Sequence, residues 1–252
     1  MRGVNMKVYF LTKKQIFNGI IGGIIVLISG FLITTFLYRN LVVPTTEVSP
    51  IYQGSSDKKQ ISFAVNVDWG EEYIPEMINI FNKFQIKCTF FLTGRWTEKF
   101  PESAKLISQN GQEIGNHGYK HDSPNKMSLE GIKADIKKTE QIIKNVTGKE
   151  TQLYAPPSGE REDHVVKAAH DLGYQTILWS IDTIDWKRPA PNTIVTKILD
   201  KAHNGAIVLM HPTESTIKAL PVVIPELKKQ GFKFVIVSEN ILSIKSDKNA
   251  DE

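Results

Sequence analysis

Cysteine is nearly absent from this 252-residue chain: Cys88 stands alone, so no disulfide framework within the chain can hold the fold. A lone cysteine also suits an exported protein that avoids stray disulfides. Acidic residues are missing before Asn40, where five basic ones fall (Arg2, Lys7, Lys13, Lys14 and Arg39). From residue 40 onward 26 basic residues face 27 acidic ones, so no basic surface remains for nucleic acid. Neither a Gly-x-Gly-x-x-Gly nor a Walker pattern follows the first strand-like segment, which argues against a nucleotide-binding open sheet. With 41% hydrophobic and 23% charged residues the chain reads as folded rather than disordered.

Charge is also absent from residues 15–38, where Ile, Leu, Val and Phe dominate. Twenty-four residues at a 1.5 Å rise span about 36 Å, enough for a bilayer core of about 30 Å. Four cations precede the stretch and Arg39 follows it, which predicts a single-pass anchor in the cell membrane with its N-terminus in the cytoplasm. A cleaved signal peptide has a shorter apolar core and a small-x-small site, and neither is found here. Residues 1–14 are thus expected in the cytoplasm, 15–38 in the membrane, and 39–60, with Pro44, Pro50 and Gly54, as a linker.

After residue 60 short apolar runs alternate with amphipathic stretches. Strands are predicted at 61–67, 87–92, 113–116, 152–154, 176–181, 206–210 and 233–237. Helices are predicted at 72–84, 101–109, 129–146, 162–172, 193–202 and 217–229, with Gly111, Gly148, Gly173, Gly205 and Gly231 placed to end helices and Pro101 to begin one. About seven strand–helix units imply a parallel sheet, α/β in class, closed into a (β/α) barrel.

Barrel chemistry sits at the C-terminal ends of strands. Those ends read Asn66-Val67-Asp68-Trp69-Gly70, Thr93-Gly94-Arg95-Trp96, His117-Gly118-Tyr119-Lys120-His121, Tyr154-Ala155-Pro156-Pro157-Ser158, Asp182-Thr183-Ile184-Asp185-Trp186 and Met210-His211-Pro212. His117 and His121, four apart, share a face in a helical turn and can share a metal, with Asp68, Asp182 and Asp185 as carboxylate candidates. His211 is placed to protonate a leaving group. Trp69, Trp96 and Trp186 suit stacking on sugar rings, whereas Trp179 reads as core. His164, His170 and His203 lie in helical patterns away from this mouth.

With these residues assembled, the chain resembles the polysaccharide deacetylase (NodB-homology) family over residues 61–244, closest to its membrane-anchored sporulation branch. Residues 245–252 remain as a polar tail. His117-Gly118-Tyr119-Lys120-His121 is similar to the metal-binding histidine motif, Asp182-Thr183-Ile184-Asp185-Trp186 to the Asp-x-x-Asp-Trp motif, Leu209-Met210-His211 to the Leu-x-His motif, and Pro156-Pro157-Ser158-Gly159 to the Pro-Pro motif. The resemblance implies a deformed (β/α) barrel that removes acetyl groups from N-acetylglucosamine or N-acetylmuramic units of cell-wall polymers.

It further implies a divalent metal, Zn by preference with Co, Mn or Ni as alternatives, held by His117, His121 and Asp68. Asp68, His211 and Asp185 form the implied catalytic set, and Trp69, Trp96, Tyr154, Pro156, Pro157 and Trp186 the glycan contacts. The expected partner is an N-acetylated polysaccharide, bound by a monomer anchored in the membrane. The first family motif departs: Asn66 stands at the base position in one alignment, Asp68 in the other, and Ala155 replaces the arginine that orients the base. Two readings follow, an extracytoplasmic deacetylase of reduced activity, or a catalytically degenerate glycan-binding or assembly protein that needs no metal. A glycosidase is disfavoured because Asp182 and Asp185 are only three residues apart on one segment.

Overall fold

The computed structural model describes residues 10, 12–41 and 48–248. The chain divides into two compact units, Met1–Glu47 and Val48–Glu252. In the first, helix α1 (Lys13–Leu41) begins two residues before the charge-free stretch and outlasts it. Its segment Lys13–Thr35 is long and apolar enough to cross a membrane. The apolar side chains described along this helix are exposed. Thr34 and Thr35 donate their hydroxyls to the carbonyls of Gly30 and Phe31, both at 2.9 Å, so both hydroxyls are satisfied within the helix. Residues 1–9 and 11 of the expected cytoplasmic segment, 42–47 of the linker and 249–252 of the tail lie outside the described residues.

The second unit runs β1 (Gln60–Val67), α2 (Ile74–Lys83), β2 (Thr89–Leu92), α3 (Gly94–Lys99), α4 (Pro101–Gln109), β3 (Glu113–Asn116), α5 (Leu129–Thr147), β4 (Leu153–Tyr154), α6 (Asp163–Asp171), β5 (Gln175–Thr176), β6 (Ile181–Asp182), α7 (Pro191–Lys201), β7 (Ala206–Met210), α8 (Glu214–Lys229), β8 (Lys233–Phe234) and α9 (Val237–Lys248). The strands pair in parallel in the order β5-β4-β3-β2-β1-β7-β6, with β8 beside the start of β1. This curled sheet wrapped in helices is the deformed barrel expected from the sequence. β1 is apolar through most of its length because both its faces are covered. Its alternate residues divide the core: Phe63, Val65 and Val67 pack outward under the helices, and Ala64 inward with Phe91, Leu153, Ala155 and Ile207.

Four elements differ from expectation, one being the short helix α3, which no predicted helix covers. The run 176–181 is two strands, because the chain leaves β4 at Thr176 and joins β7 at Ile181, so one apolar segment serves both edges of the open sheet. Residues 51–54, read as linker, lie in that seam: Ile51 exchanges hydrogen bonds with Thr176 and Leu178 at 2.8 and 2.7 Å, and Gly54 N–H donates to Gly205 at 2.7 Å. The segment 233–237 ends as a strand at Phe234, and α9 then sends Val237 and Ile241 into the inward cluster.

Candidate active site

Strand parity carries the chemistry to one mouth. The inward face of β1 continues from Ala64 to Asn66 and Asp68, and that of β7 from Ile207 to Leu209 and His211. There a cavity of about 400 Å³ opens, lined by these polar residues together with His117, His121, Asp182 and three tryptophans. Gly70 (φ 83°) presses the end of β1 against Pro212, where any side chain would strike the Pro212 carbonyl. That approach lays Trp69 flat on His211, centroids 5.7 Å apart and planes 8° from parallel.

His211 is held from behind. Its Nδ1 meets Asp185 Oδ1 at 2.7 Å, and its backbone N–H donates to Asp185 Oδ2 at 2.6 Å. Asp185 is fully buried and also accepts from Thr216 Oγ1 at 2.6 Å. A buried carboxylate fixes the Nδ1–H tautomer and leaves Nε2 for a ligand. Asp185 thus fixes the orientation of the His211 ring.

His117 and His121 are not on a helical turn. They sit on the loop after β3, where Gly118 and His121 take left-handed backbone (φ 73° and 60°), yet their rings meet edge to face at 5.0 Å. His117 is buried, and its Nδ1 donates to the Ala155 carbonyl at 2.6 Å. Burial first, then the neighbouring His121, pushes His117 down to about 3, so it is a neutral imidazole at physiological pH. Ser158, Ile184 and Arg188 are further non-glycine residues with positive φ at this end of the barrel. Such conformations cost of order 1–3 kcal/mol each and cluster at functional sites.

Asp68 is differently placed from the sequence reading. Thr93 Oγ1 and Arg95 Nε both donate to its Oδ1 at 2.8 Å, and Arg95 Nη2 donates to Oδ2. The pair raises the Arg95 pKa, the hydrogen bond to Asp68 being the largest cause. Asp182 closes a local turn, its Oδ1 accepting from Ile184 N–H at 2.8 Å. A His₂-carboxylate metal site needs a carboxylate with lone pairs to give, and among the described residues no group of three His, Cys, Asp or Glu side chains is placed to hold an ion. As placed, with Asp68 held by Arg95, these groups do not fit the implied metal.

Asn66 is inward and buried, and its Oδ1 faces no hydrogen-bond partner within the protein. Of the expected glycan contacts, Trp69 and Trp186 line the cavity at 36% and 50% exposure. Trp96 does not: it is 1% exposed and packs on Phe100 in the outer core. Tyr154 is buried on the outward face of β4, the opposite parity to Leu153, and Pro156 and Pro157 are buried beneath the mouth. Trp179, read as core, packs against the inward cluster and also lines the cavity, with Gly159 (φ 67°) leaving the room its ring needs. Ser158, Gly159 and Arg95 were also missed as site residues; the signal for Arg95 was a lone cation at a strand end.

The polysaccharide deacetylase family model matches residues 53–177. Over 190 residues, 75% of this chain, the sequence is 40% identical to the YlxY protein of Bacillus subtilis, and it spans 60% of that relative's length. It is 34% identical to a peptidoglycan-N-acetylglucosamine deacetylase of Bacillus cereus, covering 81% of this chain and 97% of the relative. Among solved structures, a CE4 family pseudoenzyme from Bacillus anthracis superposes with a TM-score of 0.75 at 44% identity, over 76% of this chain and 68% of that one. A mutant of that pseudoenzyme, described as having restored enzymatic activity, superposes with the same TM-score at 42% identity, over 76% and 71%.

Proposed function

The chain belongs to the polysaccharide deacetylase family, and from that premise we propose that it binds the acetamido sugars of peptidoglycan in the extracytoplasmic space and hydrolyses them only slowly. The observation that carries the reading is Asn66, which faces the cavity where the family places a base, with an unpartnered amide oxygen. An amide cannot take a proton from water, and losing a general base lowers a rate by about 10²–10⁴. Ala155 fits the same loss, since an arginine there would have no carboxylate to hold. Recognition is retained: Trp69, Trp179 and Trp186 supply apolar faces for a sugar ring, and the neutral His117 and the oriented His211 supply hydrogen bonds. The Bacillus cereus relative supports the substrate class, and α1 with its flanking cations supports placement outside the membrane.

The test uses the full chain in detergent micelles with N-acetylglucosamine oligomers and solubilised peptidoglycan. Tryptophan fluorescence should change on binding, with acetate release about 10²–10⁴ below that of an active relative. Acetate release equal to the relative's, or no binding to either glycan, overturns the reading. A second reading, working deacetylation with Asp68 as base, is favoured by the intact Asp185–His211 pair; for it, Asp68→Asn should abolish a measurable wild-type rate.

A further inference from the structure

Two carboxylates reach the cavity that His117 and His121 share: Asp182, engaged in its own turn, and Asp68. Asp68 is 10% exposed and its charge acts on His117, so of the two it is the carboxylate that release would free to move toward the imidazoles, although the three groups are not placed to hold an ion as they stand. Three donors hold it instead, two of them from one guanidinium. The clamp is built into the fold. Thr93 caps α3, and the first two residues of that helix, Gly94 and Arg95, donate their N–H groups to Gly118 and Tyr119 at 3.0 and 2.9 Å. The arginine is thereby fastened to the loop that carries both histidines.

Resting on the reading of this mouth as a deacetylase-family site, we propose that Arg95 is its resident cation, occupying Asp68 so that His117, His121 and Asp68 do not close on a divalent metal. A bidentate guanidinium takes both carboxylate oxygens and keeps its charge at any pH the protein meets. A divalent ion on Asp68 would have to share the carboxylate with that charge across a bond length or two. Removing the guanidinium leaves Asp68 with one neutral hydroxyl donor, Thr93, and an uncompensated negative charge in the cavity that both imidazoles line, where a small side-chain shift would complete a donor set chemically suited to Zn²⁺ or Co²⁺. Arg95 is half-exposed, so its methylene stem has room to be replaced by a neutral chain of similar length.

The experiment titrates Co²⁺, read by its visible absorption, and Zn²⁺, read by calorimetry, into the full chain in detergent micelles with no glycan present. Arg95→Met should bind either ion at least tenfold more tightly than wild type. Adding Asp68→Asn should return the affinity to the wild-type level, and Arg95→Lys, a point charge that cannot form the fork, should fall between. Asp68→Asn alone should change wild-type affinity less than threefold, an arm that needs no folded Arg95 variant. The proposal is overturned by a folded Arg95→Met that binds no better, by a gain that survives Asp68→Asn, or by a tenfold loss from Asp68→Asn alone. Glycan plays no part in this readout, so its failure and that of the glycan-binding reading are separable.

Discussion

His117 makes the folding of this protein sensitive to mild acid by an amount that can be worked out. In the folded state burial and His121 hold it down to about 3, against an ordinary value of 6.5 that the unfolded chain recovers. Between those values the unfolded chain binds one more proton at this site, so stability rises with pH and is lost as pH falls below 6.5. From pH 7 to pH 5 the loss comes to about 2 kcal/mol, and it would reach about 5 kcal/mol below pH 3. The other groups acting on it are the Ala155 carbonyl, which favours the proton, and His211 and Asp68, which oppose each other. Asp171, held at about 2 by Lys133 and Lys167, titrates below this window. Urea denaturation of the full chain in micelles, followed by tryptophan fluorescence, should show wild type losing about 2 kcal/mol more than His117→Gln between pH 7 and 5. Parallel stability curves for the two proteins would refute the buried neutral imidazole.

Three further outcomes follow from the same mouth and its anchor. Asn66→Asp should raise acetate release modestly, and Ala155→Arg combined with it should give a larger, non-additive gain because the two act as a unit; a double variant no faster than either single one would refute the pairing. Asp185→Asn turns an acceptor of three hydrogen bonds into a partial donor, so thermal denaturation should report a loss of about 1–3 kcal/mol; an unchanged melting temperature would count against the buried clamp on His211. Protease added to intact cells lacking an outer barrier should degrade the region after Arg39 and spare an N-terminal tag, whereas protection of the C-terminal part would contradict export.

What the sequence alone determined is local in its physics. Charge-free length set the extent of α1 to within a few residues, because crossing length depends only on rise per residue. The strand ends grouped Asn66, Asp68, His117, His121 and His211 at one mouth, because parallel strands bring their C-terminal ends together. Gly148, Gly173 and Gly231 marked helix ends because left-handed backbone disfavours other residues. Tertiary structure decided whatever depends on which strand lies beside which. Thr176 and Ile181 belong to different strands because they face opposite edges of one open sheet, which no local periodicity records. Trp96 is buried and Trp179 lines the cavity because helix packing, not nearness to a strand end, determines what covers an indole. Asp68 is 27 residues from Arg95, and their pairing exists only because β1 and β2 lie in parallel register, Val67 beside Leu92. A carboxylate read from the chain as a free ligand is thereby, in the fold, already bound to a cation.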